Sequence, residues 1–465
     1  MCGVITDFTS IFTVRRIILK TQEKLNIFTS TPHSDSLVDN LVRVALDIGE
    51  GLLKSGAEIH RVEDAIEHIC KAYGAAHVEV FSIQSLIVTS VRMPDGTYSS
   101  QSRRITNISN QLSSLEYYNT LSRDICRDTP DFDEIDRRIF EIKHKRKSPY
   151  WLIVIGFICA ASGFAIFFGG SWRDGIAAAI IGLVMAFIDR IEAKFFTPIT
   201  KTLLIAFIAG ILSCLTVMAG IGENVDKIAI GTIMILIPGL ALGNSMRDLL
   251  SGDTLAGILR AVQSCIIAII IAIGYSLAIL LLEEPFTTYF GSTPPEFHPI
   301  TTFILGSISS IIGTIGFALI FKISLKKLPI VAIGGLFTYI FYELTNHLII
   351  DIFSENSFFN SLGCLFATIV ASIFMALFSE ICARRFRAPA VVFLFPCAIP
   401  IVPGSALYYS MYYLLRNYPL QLIHYISITG QVILGIALGL SIASVIWGIV
   451  STIMRKASSK SNSKK

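Results

Sequence analysis

The chain has little charge. Asp, Glu, Lys and Arg make up 15% of its 465 residues, where a soluble globular protein carries roughly a quarter. The shortage begins at Trp151; residues 1–148 are as densely charged as an ordinary soluble domain. Other things are missing too. The nine cysteines include no CxxC pair, and Cys159, Cys214, Cys265 and Cys364 sit in apolar runs. They read as small apolar side chains, not as a redox or zinc framework. There is no GxSxG, no HExxH and no GxxxxGK[ST], which argues against those hydrolase chemistries and against an ATP motor within this chain. Asp7, Arg15 and Arg16 interrupt the N-terminal apolar stretches, so no secretory leader is expected. No cofactor or metal is expected, and the chain is not expected to be an enzyme. The net charge of +4 suits basic loops beside a membrane better than a nucleic-acid surface.

What the second part has is apolar length. Runs of about 20 residues, enough to cross a bilayer as helices, follow one another from Trp151 to the C-terminal tail. Ten spans are expected, near 151–169, 174–190, 203–220, 226–246, 256–282, 301–321, 329–350, 361–380, 389–412 and 427–453. Alternate connections then differ sharply in basic charge. One side holds Lys143–Lys147, Arg190, Lys194, Lys201, Arg247, Lys322, Lys326, Lys327, Arg384, Arg385, Arg387 and the tail lysines; the other holds Arg173, Lys227 and Arg416. The positive-inside rule therefore predicts cytosolic N- and C-termini.

The fourth and ninth spans carry a repeat. With Pro238 placed over Pro403, eight of fourteen positions match between 237–250 and 402–415: Pro238/Pro403, Gly239/Gly404, Ala241/Ala406, Leu242/Leu407, Ser245/Ser410, Met246/Met411, Leu249/Leu414 and Leu250/Leu415. Gly274/Gly439, Ser276/Ser441 and Ala278/Ala443 keep the offset, and "GFAIFF" at Gly163 echoes "GFALIF" at Gly316. The unit is five spans. Five is odd, so the second unit enters the bilayer from the opposite side, as in the inverted repeats of secondary transporters. The expected fold is a polytopic α-helical membrane protein, two inverted five-helix repeats preceded by a small cytosolic α/β domain. A Pro-Gly break frees backbone groups that cannot face lipid. Paired breaks in the two halves point to the solute site, although a single proline kink often serves packing alone. Candidate substrate-binding residues are Pro238, Gly239, Asn244, Ser245, Pro403, Gly404, Ser405 and Ser410. Ionisable groups in or near spans often mark ion paths. Glu343 with His347 one turn later is a candidate proton relay. Asp189 and Asp248 are further candidates, either of which could instead be an interfacial charge, Asp248 pairing with Arg247. Gly435 and Gly439 suit close helix packing.

The N-terminal part reads as two amphipathic helices, striped by Val42, Leu46, Gly49 and Leu53 and by Ile59, Val62, Ile66, Ile69 and Tyr73. Ser55-x-x-Glu58 has the pattern of a capping box. Strands joined at Pro94-Asp95-Gly96 and a polar helical stretch near 109–147 follow. His60, Asp64 and His68 share one helix face; a solvated charged face is expected there in preference to a metal site.

The run "GLLKSGAEIHRVEDAIEHICKAYG" with "VEVFSIQSLIVTSV" resembles the N-terminal domain of the threonine/serine exporter family, and "RAPAVVFLFPCAIPIVPGSALYYSMYYLL" resembles its second membrane module. The matching motif in the first domain is Ser55, Gly56, Glu58, Arg61 and Glu63. The resemblance implies proton-motive-force-driven export of small hydrophilic metabolites across the cytoplasmic membrane, with threonine and serine as namesake substrates and dicarboxylates such as succinate as the alternative. A membrane-anchored metabolite sensor is the reading from another class. The expected organisation is a cytosolic domain at 1–148, a first membrane module at 149–290, a second at 291–455 and a basic tail at 456–465. Expected partners are a small-molecule substrate and the lipid bilayer, without nucleic acid; a homo-oligomer stays open.

Overall fold

The computed structural model describes residues 37–106, 111–145, 149–191, 197–238, 241, 245–246, 248–249, 251–286, 299–352 and 361–462. The chain begins with an α/β module: α1 (Leu37–Lys54), α2 (Ile59–Ala72), a meander of β1 (His77–Ile83), β2 (Leu86–Arg92) and β3 (Tyr98–Arg104), then α3 (Leu112–Asp128) and α4 (Phe132–His144). The three strands pair antiparallel in sequence order, His77 opposite Arg92 and Leu86 opposite Arg104. Asp95 tightens the β2–β3 turn, its carboxylate accepting from the Thr97 amide at 2.9 Å. Ile87 and Val91 of β2 face Leu46, Leu53, Ile59, Val62, Ile66 and Ile69, all buried. Gly49 is required for this packing: a Cβ there would lie 2.6 Å from Ile66 Cδ1. The expected single helix near 109–147 is two. Thr129 adopts a left-handed conformation (φ 41°) ahead of Pro130, which cannot continue a helix; 109–110 and 146–147 lie outside the described residues.

Ten further stretches follow, at the places expected for spans: α5 (Tyr150–Phe167), α6 (Trp172–Arg190), α7 (Pro198–Met218), α8 (Val225–Leu236), α9 (Thr254–Phe286), α10 (Pro299–Ile320), α11 (Leu328–Ile352), α12 (Gly363–Phe386), the pair α13 (Val391–Ala398) and α14 (Gly404–Leu415), and α15 (Pro419–Asn462). Seven of these are long and apolar enough to cross a membrane, and α13–α14, bent by 47°, makes an eighth if taken as one broken span. The helix α6 carries Arg173, Asp174, Asp189 and Arg190 at its ends, and α8 is only 12 residues long. Asp174 is fully buried: it closes a capping box with Ser171 and accepts from the Glu223 and Asn224 amides at 2.7 and 2.8 Å. That carboxylate ties the α5–α6 turn to the start of α8.

The glycines fix the helix directions. A Cβ on Gly156 would strike the Gly316 carbonyl at 2.9 Å, and one on Gly163 the Gly313 amide at 2.8 Å. Numbers rise on α5 as they fall on α10, so these equivalent first helices of the two halves run antiparallel. By contrast α7 and α9 are parallel, Ala206 against Gly274 and Gly210 against Ala278. The second half repeats this pair. Gly274 meets Leu203, Ala206 and Phe207; Gly439 meets Ile369, Ser372 and Ile373, each 166 positions on and through the same atom types. Gly435 packs on Thr368 in the same seam, so both glycines serve close packing.

At Gly316 a Cβ would sit 2.4 Å from the Ala160 amide nitrogen, whereas Gly430 has open space around it. Gly316→Val should therefore cost at least about 1–3 kcal/mol of overpacking and lower the thermal midpoint of detergent-solubilised protein. Gly430→Val should leave that midpoint near the wild-type value.

Candidate functional site

Both breaks have the same backbone. Ile237 and Val402 precede Pro238 and Pro403 and are extended, with ψ 128° and 132°, as a residue before proline must be to avoid its ring. In the first half α8 stops at Leu236. In the second, α13 passes through a 3-10 turn, Ile399–Ile401, before Pro403 and Gly404 start α14. The breaks meet: a Cβ on Gly404 would lie 1.9 Å from Met234 Sδ and 3.1 Å from Ile237 Cδ1. Only glycine permits this approach.

A cavity reaches each break from one face of the membrane part. The cavity beneath the α/β module holds about 670 Å³ and is lined by Pro238, Arg260, Gln263, Ser264, Arg190 and Lys322, among others. The far-side cavity holds about 420 Å³; Thr302, Tyr339, Tyr342, Glu343 and Ser405 line it together with Pro400–Pro403. Ile399 faces the first cavity and Ile401 the second, so the 3-10 turn and the Met234–Gly404 contact stand between them.

Of the residues expected to bind solute, Pro238 lines the domain-side cavity, and Pro403 and Ser405 line the far-side one. Gly404 lies where the breaks touch. Ser410 donates to the Ala406 carbonyl at 2.7 Å within its own helix, and Ser245 is fully buried outside both cavities. Gly239 and Asn244 lie outside the described residues. Among the candidate proton carriers, Glu343 lines the far-side cavity with His347 Nε2 at 3.7 Å. Asp189 lines the mouth of the domain-side cavity, where Lys201 pairs with it at 2.9 Å.

Asp248 has a different role from the one expected. Arg247 lies outside the described residues. Asp248, just beyond the fourth span and fully buried, pairs with Arg260 at 3.4 Å, and its other oxygen accepts from the Ile59 amide at 3.2 Å. Ile59 is the first residue of α2 in the α/β module. This corrects the capping-box expectation, because Glu58 makes no side-chain cap and the Ser55 hydroxyl donates to Gly51 O at 2.7 Å. The cap comes from the membrane part instead. Burial, partly offset by Arg260, pushes the Asp248 carboxyl up to about 6.

The rest of the motif shapes the module around this contact. Gly56 turns with φ 96° and lines the domain-side cavity. Glu58, 1% exposed, accepts from Arg61 Nε at 3.1 Å. Glu63 accepts from the Ser82 amide and hydroxyl at 2.7 and 2.9 Å, tying α2 to β1. On the second half, the Leu112 amide donates to Phe321 O at 3.1 Å, and Lys327 pairs with Glu116. Of the His60, Asp64, His68 face, Asp64 and His68 are exposed and His68 bonds its own helix at Asp64 O, whereas His60 is half-buried with Nε2 3.7 Å from Glu58. Among the described residues no group of three or more His, Cys, Asp or Glu is placed to hold a metal.

Two features escaped the sequence reading. Arg260 was unremarked on an apolar helix. Lys227, counted as a loop charge, is buried at the head of α8 beside Asp226; Tyr409 donates to Asp226 at 3.0 Å and accepts from Lys227 at 3.2 Å. The "YYSMYYLL" run held the signal: it brings Tyr409 of α14 to the α8 charges and bridges the halves.

The first family model, for a threonine/serine exporter, matches residues 43–282, more than half of the chain. The chain belongs to the threonine/serine exporter family. A second model of the family, "Threonine/Serine exporter, ThrE", matches residues 306–446. The "Threonine/serine exporter" of Corynebacterium glutamicum is 22% identical over 410 residues, covering 84% of this chain and 78% of that one. The "Probable threonine/serine exporter" of Mycobacterium tuberculosis is 24% identical over 395 residues, 82% of this chain and 70% of the relative. The chain is also similar, over 52% of its length, to the "Probable succinate transporter subunit YjjP" of Escherichia coli, 22% identical over 255 residues that cover 94% of that protein. No solved structure matches. The family is one of transporters, and the apolar helices make this member a multi-pass membrane protein.

Asp248→Ala removes the cap and leaves Arg260 buried without its Asp248 partner, which should cost about 3–5 kcal/mol in thermal or denaturant unfolding. The pH dependence has a definite sign. A carboxyl whose folded pKa is raised contributes stability that is fully present below its unfolded value and is lost as pH rises through the folded value. The stability difference between wild type and Asp248→Asn should therefore fall from pH 4 to about pH 6 and level off above. A flat difference across that range would show that burial does not perturb Asp248.

Proposed function

We propose that the chain is a secondary exporter of threonine, serine and similar small solutes, driven by the proton motive force. It acts in the cytoplasmic membrane with both termini and the α/β module in the cytosol. One observation carries this reading: two cavities on opposite faces, each lined by one break of an inverted repeat, are separated by the 3-10 turn and the Met234–Gly404 contact. Such a pair is what alternating access requires if one repeat rocks against the other around a central site. Solute enters from the module side, where, with Arg260 paired to Asp248 and Asp189 to Lys201, Arg190 and Lys322 leave an excess of positive charge that favours a carboxylate. It leaves past Pro403 and Ser405. Glu343 faces the far side, where the proton motive force supplies protons, and is the group best placed to take one up in exchange.

The same excess of cationic groups favours a second substrate class, the dicarboxylates, and the similarity of about half the chain to a probable succinate transporter subunit is in keeping with it.

Proteoliposomes loaded with labelled threonine, serine or succinate and given a pH gradient test both readings. Gradient-dependent release of one solute is expected; no movement of any would overturn the proposal. Gly404→Leu should reduce the rate at least about tenfold at normal expression, equivalent to about 1.4 kcal/mol of barrier, because its side chain must displace Met234. Glu343→Gln should abolish the response to the pH gradient while leaving solute–solute exchange measurable.

A further inference from the structure

We infer that a basic cavity between the α/β module and the α10–α11 connection binds a phosphoryl-bearing anion. This cavity holds about 540 Å³, and Lys54, Lys143, Lys145 and Lys322 converge on it. The two carboxylates in its wall are already matched. Asp47 pairs with Arg103 at 2.8 Å and with Arg43 at 3.5 Å; Glu50 pairs with Lys54 at 2.5 Å and with Arg103 at 3.5 Å. Among the described residues Lys143 and Lys145 make no ion pair, and the Lys145 ammonium stands 3.6 Å from the centre of the Tyr117 ring. The first turn of the 17-residue α3 opens on the same space, with Ser113 and Ser114 in the wall. Ammonium groups, hydroxyls and the positive end of a helix dipole are together the donor set that recognises phosphate.

Position strengthens the case. Lys143 and Lys145 lie just before the first membrane helix, and Lys322 and Ser324 just after α10, the level at which lipid phosphates sit. The phosphoryl group can therefore come from an anionic lipid headgroup or from a free metabolite. Gln111 and Lys322 line both this cavity and the domain-side transport cavity, so occupancy acts directly on the wall of the solute path.

The test uses full-length protein in phosphatidylcholine nanodiscs, titrated calorimetrically with pyrophosphate. A parallel arm reads the thermal midpoint in nanodiscs with and without phosphatidylglycerol. Lys143→Gln/Lys145→Gln, at exposed positions, is measured in both arms, with its thermal midpoint in phosphatidylcholine alone as the check that it folds. Saturable pyrophosphate binding, weakened at least about tenfold in the double variant, supports the site with a soluble ligand. A higher midpoint in phosphatidylglycerol alone, lost in the double variant, supports it with a lipid headgroup. No response in either arm, or a response that the double variant retains, overturns the inference.

Discussion

Backbone amides and carbonyls cannot be left bare in hydrocarbon, and the membrane part is arranged around that constraint. Two helices are interrupted at Pro238 and Pro403, and the freed groups have to be walled by protein or open to water. Packing Gly404 against Met234 sets the breaks back to back, so each exposes its other side to one cavity. The glycine seams follow from the same requirement. Helices must approach closely around the broken ones, and Gly156, Gly163, Gly313 and Gly316 bring α5 and α10 to backbone contact.

The close pairs divide the protein mechanically. In each half the third and fifth helices lock through small residues, Ala206 with Gly274 and Ser372 with Gly439. Between the halves the α5–α10 seam packs just as closely, so the two halves share one tight seam as well. Across the halves, the far face is bridged by polar contacts that can be exchanged for water, Tyr409 with Asp226 and Lys227. On the other face the α/β module joins the halves, held to one by Asp248 and to the other by Phe321 and Lys327.

The parts legible in sequence were those written in local pattern. Apolar length located the seven helices long enough to cross a membrane and the bent α13–α14 pair, though not the charged ends of α6 or the shortness of α8, and the Pro-Gly match located both breaks. Pro94-Asp95-Gly96 marked the turn that joins β2 to β3. The illegible parts were partnerships across long sequence separations. The spacing of Ser55 and Glu58 satisfies a capping pattern, yet a carboxylate from the membrane part occupies that role, and nothing near Ile59 signals it. Arg260, on an apolar helix, carries no local signal of its pairing with Asp248. Ser410 matched Ser245 in the repeat, but its hydroxyl is used by its own helix; matched sequence preserved packing there and not a cavity wall.

The cap on α2 also orders the making of the protein. Ile59 and the carboxylate that completes its helix are 189 positions apart. Chains emerge N-terminus first and domains fold as they emerge, so the module leaves the ribosome with one helix end unfinished. That helix gains its cap only after four helices have been threaded into the bilayer. Correct insertion of the first half is thus a condition of finishing the module, and an α2 end left open marks a chain whose membrane part has not assembled.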